Sequence, residues 1–267
     1  MDELAALRAM ADPERAARTA ARHKRPRETL GLTPAQIDTL VAEWRERDIA
    51  GRVALADLLW QSDIHEARIT AARLLTQARM RPDDAVWQLI ASWVPDLDGA
   101  EIADAAMTAG QKRVVAEPAR LDAVQSWLAS RNPWARRAAL AITLPYAKLP
   151  HPKPADLERR ELALDWAAHL SGDPHGAIQQ AIAGWLRDLA RRDPDRVAQF
   201  LEANGGDMKP FAMADVARAL PGFEFATETA ADIAADDETG SDAVGDGSDQ
   251  ERNTSSVGKS VSDTPSS

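Results

Sequence analysis

Two stretches of the 267-residue chain carry residue types at spacings that suit chemistry. Ser130 to Lys153, SRNPWARRAALAITLPYAKLPHPK, holds Arg131, Arg136, Arg137, Lys148 and Lys153 and no acid, in a protein of net charge −10. Asn132-Pro133 reads as a helix start, with Asn as N-cap and Pro at the first helical position. Cations there oppose the helix dipole, which favours anions at that end. Backbone N–H groups and Arg side chains together suit an anion, and phosphate is the obvious guest. A solvated basic helix end is the plain alternative. Lys112 and Arg113 lie in a second acid-free run, Ala105 to Ala116. From Ala105 to Lys153 there are eight bases and two acids, so the cations of this stretch are expected to line one phosphate-holding surface.

The other stretch is acidic: Asp96, Asp98, Glu101 and Asp104 crowd one predicted helix start. Asp98 and Glu101 read as a capping box, and acids there suit the helix dipole. Asp104 lies beyond that benefit, three residues from Glu101 on the same face, a like-charge pair that disfavours helix. It is either a solvated acid or a carboxylate with a task. Other chemistries fail on spacing. Asp96-Leu97-Asp98-Gly99 is no calcium loop, because positions one and twelve would be Val94 and Ala105. His65-Glu66 begins like a zinc-protease motif, but position 69 is Ile. His23, His151, His169 and His175 show no ligand spacing, and no P-loop or Gly-rich dinucleotide turn exists. No metal or other cofactor is expected.

The elements that must position these residues are short amphipathic helices. Residues 1–30 read as a helical segment followed by a basic stretch, with Arg15, Arg18 and Arg22 on one face. Thr33-Pro34-Ala35-Gln36 is a capping box that opens a helix to about Arg47. Further helices are predicted over Val53–Trp60, Ile64–Ala78, from Pro82 through Trp93, and from Asp98 to about Met107. Leu121–Leu128, Pro133–Tyr146, Leu157–Leu170, Pro174–Arg191, Pro194–Ala203 and Pro210–Leu220 complete the series. Asn132-Pro133 and Asp173-Pro174 start similar helices 41 residues apart. Asp63 to Arg68 resembles Asn132 to Arg137 at an offset of 69. Spacings near 40 suit stacked helix pairs of the HEAT type, which curve into a concave layer. A globular bundle of the same helices is the alternative. Of the eight Trp residues, Trp44, Trp60, Trp87, Trp93, Trp127 and Trp166 are assigned to the core, whereas Trp134 and Trp185 flank the basic helices.

Several segments together resemble the AlkD-type DNA alkylation repair proteins, which are HEAT-like-repeat DNA glycosylases. They are Gly31-Leu32-Thr33-Pro34; Leu59-Trp60 with His65-Glu66-Ala67-Arg68; Asn132-Pro133-Trp134-Ala135-Arg136-Arg137; and Gln180 to Arg187 followed by Asp193-Pro194. The resemblance runs from about Thr29 to Leu220. It implies excision of cationic alkylated purines from duplex DNA, by a site of one carboxylate, one Arg and two Trp. Asp104 matches the carboxylate and Arg137 the Arg. The first Trp falls at Ala100, and the second near Gly184, with Trp185 displaced by one residue. That shift turns a helical side chain by about 100°. With the basic stretches read above, the expected DNA-binding set is Arg137, Arg136, Lys112, Arg113, Lys148, Trp134, Trp185 and Arg187, with Asp104 catalytic by the resemblance.

Composition sets the outer bounds. The chain has no Cys, hence no disulfide or thiolate site, and a cytoplasmic location is the simple inference. No run of 18 apolar residues exists, and the N-terminus is too charged for a signal peptide. Ala, Leu, Arg and Glu dominate, which favours an all-helical fold. From Glu224 to Ser267 there are 11 acids and 2 bases, so the net charge of the remainder is near zero. The expectation is an all-α, HEAT-like solenoid with a concave face over 1–222, and a disordered acidic tail over 223–267. It would act as a monomer on alkylated duplex DNA, without membrane or metal. A non-catalytic DNA-binding relative and a protein-binding repeat scaffold remain open as rivals.

Overall fold

The computed structural model describes residues 2–23 and 26–220, all within one compact unit, Met1–Phe225. The helices in chain order are α1 (Glu3–Ala9), α2 (Pro13–His23), α3 (Pro34–Trp44), α4 (Ile49–Gln61), α5 (His65–Leu74), α6 (Asp84–Ser92) and α7 (Ala100–Ala116). They continue with α8 (Leu121–Val124), α9 (Pro133–Ala141), α10 (Leu144–Lys148), α11 (Pro154–His169), α12 (Gly176–Ala190), α13 (Pro194–Asn204) and α14 (Pro210–Ala217). Among the described residues there is no strand, and no helix is long and apolar enough to cross a membrane. The proposed tail, together with Lys24 and Arg25 of the N-terminal basic stretch, lies outside the described residues.

Two layers run along the chain. In one, α3, α5, α7, α9, α12 and α14 pack each on the next. The other carries α4 against α6 and α11 against α13, each joined to the first layer. This is the solenoid arrangement expected from the repeat offset. The buried apolar residues form two successive clusters, one from Leu7 to Trp166 and one from Leu140 to Leu220. Burial of small residues lets the helices approach closely. A Cβ on Gly110 would stand 2.8 Å from Ile142 Cδ1, so this glycine is a close-packing position of α7 rather than a stop. That is why α7 runs on to Ala116, well past the expected end near Met107.

Local chemistry explains the other boundaries. At Thr33 both halves of the capping box form: Gln36 N donates to Thr33 Oγ1, and Thr33 N donates to Gln36 Oε1 at 2.8 Å. Asn132 Oδ1 accepts from Trp134 N at 2.9 Å, while its Nδ2 donates to the carbonyls of Pro95 and Leu97. One side chain thus caps α9 and ties it to the loop before α7. Several expectations fail, among them the start of α12, whose N-cap is His175 rather than Asp173, and that of α4, which begins at Ile49 before Gly51. The N-terminal segment is two helices, because Pro13 opens a new one and Asp12 Oδ1 accepts from Arg15 N. Pro133–Tyr146 divides into α9 and α10, since Pro145 has no N–H to continue the first ladder. Asp98 and Glu101 form no capping box: Gly99 is the N-cap of α7, without a side-chain cap bond, and both acids are held by cations from elsewhere.

Gly31 fixes the N-terminus. Its φ of 74° is left-handed, and a Cβ would stand 2.5 Å from both Asp12 O and Ala16 N. The α1–α2 junction is therefore pressed directly on this glycine, with Arg15 Nε donating to Gly31 O at 2.8 Å. Beneath it, buried Glu66 at the start of α5 accepts from Leu30 N at 2.8 Å and Gly31 N at 2.7 Å. Two backbone donors that a loop would otherwise leave unpaired are satisfied by one carboxylate.

Candidate active site between α7, α9 and α12

Two clefts open on the layer of α3, α5, α7, α9 and α12. The larger, about 820 Å³, is lined by α2, α3, α5 and α7 residues including Arg22, His65, Glu101 and Asp104. The other, about 320 Å³, is lined by Asp104, Gln111, Arg137, Gly184, Arg187 and Asp188 among others, from α7, α9 and α12. Asp104 borders both. It sits a little over one turn into α7 and points out of the core, with its side chain 55% exposed.

Arg137 Nη1 donates to Asp104 Oδ1, so the expected carboxylate and the expected Arg meet across 33 residues of sequence. Arg137 itself is only 13% exposed, and its guanidinium lies 5.8 Å from the Trp134 ring centroid. Trp134 is half-buried and packs edge-on against His175. It serves as the platform that aims Arg137 into the cleft. Arg137 Nε is buried without a hydrogen-bond partner among the described residues, so the pairing with Asp104 leaves part of its donor fork unused.

The other expected contacts divide. Lys112 is exposed on α7, Lys148 is exposed and 3.3 Å from Asp188, and Arg187 is about half exposed at the cleft, 2.9 Å from Asp215. Three expected DNA contacts turn elsewhere. Arg113 is fully buried; it pairs with Asp83 at 2.9 Å and donates to the carbonyls of Gln77 and Ala78. Arg120 reaches the same carboxylate at 2.8 Å. Hydrogen bonds from Arg120 hold the Asp83 carboxyl below the usual range, with Arg113 adding to them. Arg136 is taken up by Asp173 at 2.7 Å and the Ser130 carbonyl, clamping the approach to α9 onto the approach to α12. Trp185 is 1% exposed and donates through Nε1 to Thr143 Oγ1, a core contact rather than a surface for bases. Arg113 and Arg136 therefore leave the expected surface, each taken up by a largely buried carboxylate, while Lys112 and Lys148 stay exposed.

Sequence spacing missed one cluster beside Asp104. His23 from α2, His65 from α5 and Glu101 from α7 converge: Glu101 Oε2 is 3.1 Å from His65 Nε2 and 3.3 Å from His23 Nε2. Arg22 Nη2 donates to the other Glu101 oxygen at 2.5 Å. Burial raises Glu101, but the His65 hydrogen bond and the nearby His23 and Arg22 outweigh it and hold the carboxyl below its ordinary value. Burial pushes His65 down, towards the neutral imidazole, against the pull of Glu101 and Glu66. These residues are 36 and more positions apart, so no local pattern announces them.

Residues 4–220 match the family model described as DNA alkylation repair enzyme. The chain belongs to the DNA alkylation repair enzyme family. Solved structures show the same fold. A protein described as a predicted DNA alkylation repair enzyme from Enterococcus faecalis superposes with a TM-score of 0.66 at 19% identity, covering 80% of this chain and 98% of that one. AlkD2 from Streptococcus mutans does so with a TM-score of 0.53 at 18% identity, covering 78% and 98%. No match was found among curated proteins. Asp104 and Arg137, the residues expected at the carboxylate and Arg positions, touch. The two Trp positions are open. Ala100 is exposed at the first turn of α7. Gly184 lines the 320 Å³ cleft, and the nearest atom to a Cβ there is Arg187 Nη2 at 3.7 Å.

Proposed function

We propose that this protein holds duplex DNA against the α7–α9–α12 face and releases cationic alkylated purines by hydrolysis of the glycosidic bond. The observation that carries the reading is the meeting of Asp104 and Arg137 where the two clefts join. In the free protein the guanidinium neutralises the carboxylate. A DNA phosphate competes for Arg137, whose planar fork suits it. Asp104 is then left as an uncompensated anion beside the sugar. An alkylated purine is already positive and leaves readily, so the task is to stabilise charge developing on the sugar as the bond breaks. A fixed carboxylate in a cleft does this with no proton transfer to the base. Lys112, Lys148 and Arg187 supply phosphate contacts that do not read sequence.

The test is single-turnover release of methylated purines from duplex DNA by the wild type and Asp104→Asn. Asn keeps the shape and loses the charge. The expected loss is about 3 kcal/mol of transition-state stabilisation, a hundredfold or more in rate, with DNA binding retained. Equal rates would remove Asp104 from the chemistry. The openness of Ala100 and Gly184 favours a second reading, a DNA-binding relative without base excision. Salt-sensitive duplex binding with no base release by the wild type would establish that one instead.

A further inference from the structure

We infer that His23, His65 and Glu101 form a binding site for a borderline divalent cation, zinc foremost, with the two imidazole Nε2 atoms and Glu101 Oε2 as the protein ligands and a fourth position left for water. The three ligand atoms lie within 4.8 Å of one another. In a tetrahedral zinc site with bonds of about 2.0–2.1 Å, ligand atoms stand about 3.3 Å apart. The distances from Glu101 Oε2 are 3.3 Å to His23 and 3.1 Å to His65, already near that edge length. Two imidazoles with one carboxylate is a zinc donor set that keeps an open position. The two ring centroids are 4.5 Å apart, with the ring planes tilted by 32°.

The surroundings prepare the site. Arg22 occupies Glu101 Oε1, which leaves Oε2 turned to the imidazoles, and a hydrogen-bonded carboxylate is the usual state of such a ligand. His23 Nε2 is buried and makes no hydrogen bond, although Glu101 Oε2 lies 3.3 Å away. A cavity of about 10 Å³ adjoins both imidazoles, enough for roughly one water. Arg27 also borders that cavity, but its guanidinium is taken up by Asp63 and Asp98. A metal here would pin α2 to α5 and α7, one turn from Asp104 on the same helix. Neither the DNA-binding nor the excision reading is needed for the site to exist.

The experiment uses the full chain without a polyhistidine tag, stripped with EDTA and titrated calorimetrically with zinc chloride. Cobalt substitution is followed by visible absorption. The expected result is one equivalent of zinc, intense four-coordinate cobalt absorption, and a melting temperature that rises with zinc. His23→Ala and Glu101→Gln should weaken zinc binding by on the order of a hundredfold, since even losing a group that only orients a ligand costs about ten- to hundredfold. Exposed His151 is the control, and His151→Ala should bind as the wild type does. Absence of stoichiometric zinc, weak six-coordinate cobalt absorption, or equal affinity in His23→Ala and His151→Ala would overturn the assignment. Should the site variants lose helical signal, the wild-type cobalt spectrum decides alone, intense absorption supporting the site and weak absorption refuting it.

Discussion

Gly184→Trp restores an aromatic surface where the family pattern has one, and its consequences follow from the structure. Gly184 is half-buried in α12 and lines the 320 Å³ cleft that also holds Asp104 and Arg137. Its helical backbone needs no glycine, and replacing an interior helical glycine with alanine gains about 0.5–1 kcal/mol. A Cβ there meets only Arg187 Nη2 at 3.7 Å, an ordinary contact with the end of a flexible side chain. The fold should therefore accept the change, with a melting temperature equal to or above that of the wild type. An indole in the cleft offers a face to an unstacked base. Stacking of a base on an aromatic side chain is worth about 1–3 kcal/mol, or roughly a five- to 150-fold gain in affinity. Only a displaced base reaches it, so the gain should appear with duplexes carrying an alkylated or abasic position and not with intact duplex. The assay is fluorescence anisotropy on matched lesion and intact duplexes, with base release measured in parallel. Equal affinity gains for both duplexes would mean that the indole only adds general surface. No gain for either would mean that DNA does not approach α12 at this cleft, and the excision reading would fall with it.

Two further outcomes concern the frame around the site. Asp83→Ala strands Arg113, which is fully buried, without its counter-charge, and should cost about 3–5 kcal/mol in chemical denaturation. Because the Asp83 carboxyl is depressed in the fold, its contribution is present above the ordinary carboxylate pKa of about 4 and is lost as pH falls through the lower folded value. The wild type should thus lose more stability than Asp83→Ala between pH 5 and the acid limit, and parallel curves would refute the pairing. Gly31→Ala forces a Cβ into Asp12 O and Ala16 N at 2.5 Å from a left-handed backbone, so a loss of about 3 kcal/mol or more is expected, with α1 and α2 released first in hydrogen exchange. Unchanged protection there would show that the N-terminal helices do not depend on this contact.

Most of the helices and several of their caps are local matters, and sequence alone reached them. Thr33 with Gln36, and Asn132 with Pro133, act on backbone groups two or three residues away, so their types and spacing suffice. The repeat offset was legible for a similar reason: it is order along the chain. The direction of each charge was not. Arg113 and Lys112 are neighbours in one acid-free run, yet one is buried on Asp83, 30 residues upstream, and the other is exposed. Asp98 and Glu101 sit where a cap belongs, yet Arg27 and Arg22 hold them from more than 70 residues away. Trp185 and Gly184 differ by one position and both border the 320 Å³ cleft, yet the rotation of α12 buries the Trp185 indole against Thr143. His23, His65 and Glu101 have no common motif at all. A buried charge must find its partner wherever the packing of distant helices puts one, because leaving it unpaired costs about 3–5 kcal/mol, more than the roughly 1 kcal/mol of a helix cap. The ladder and its caps are written locally; which cations face the cleft, and whether the histidines meet a carboxylate, was decided only when the layers closed.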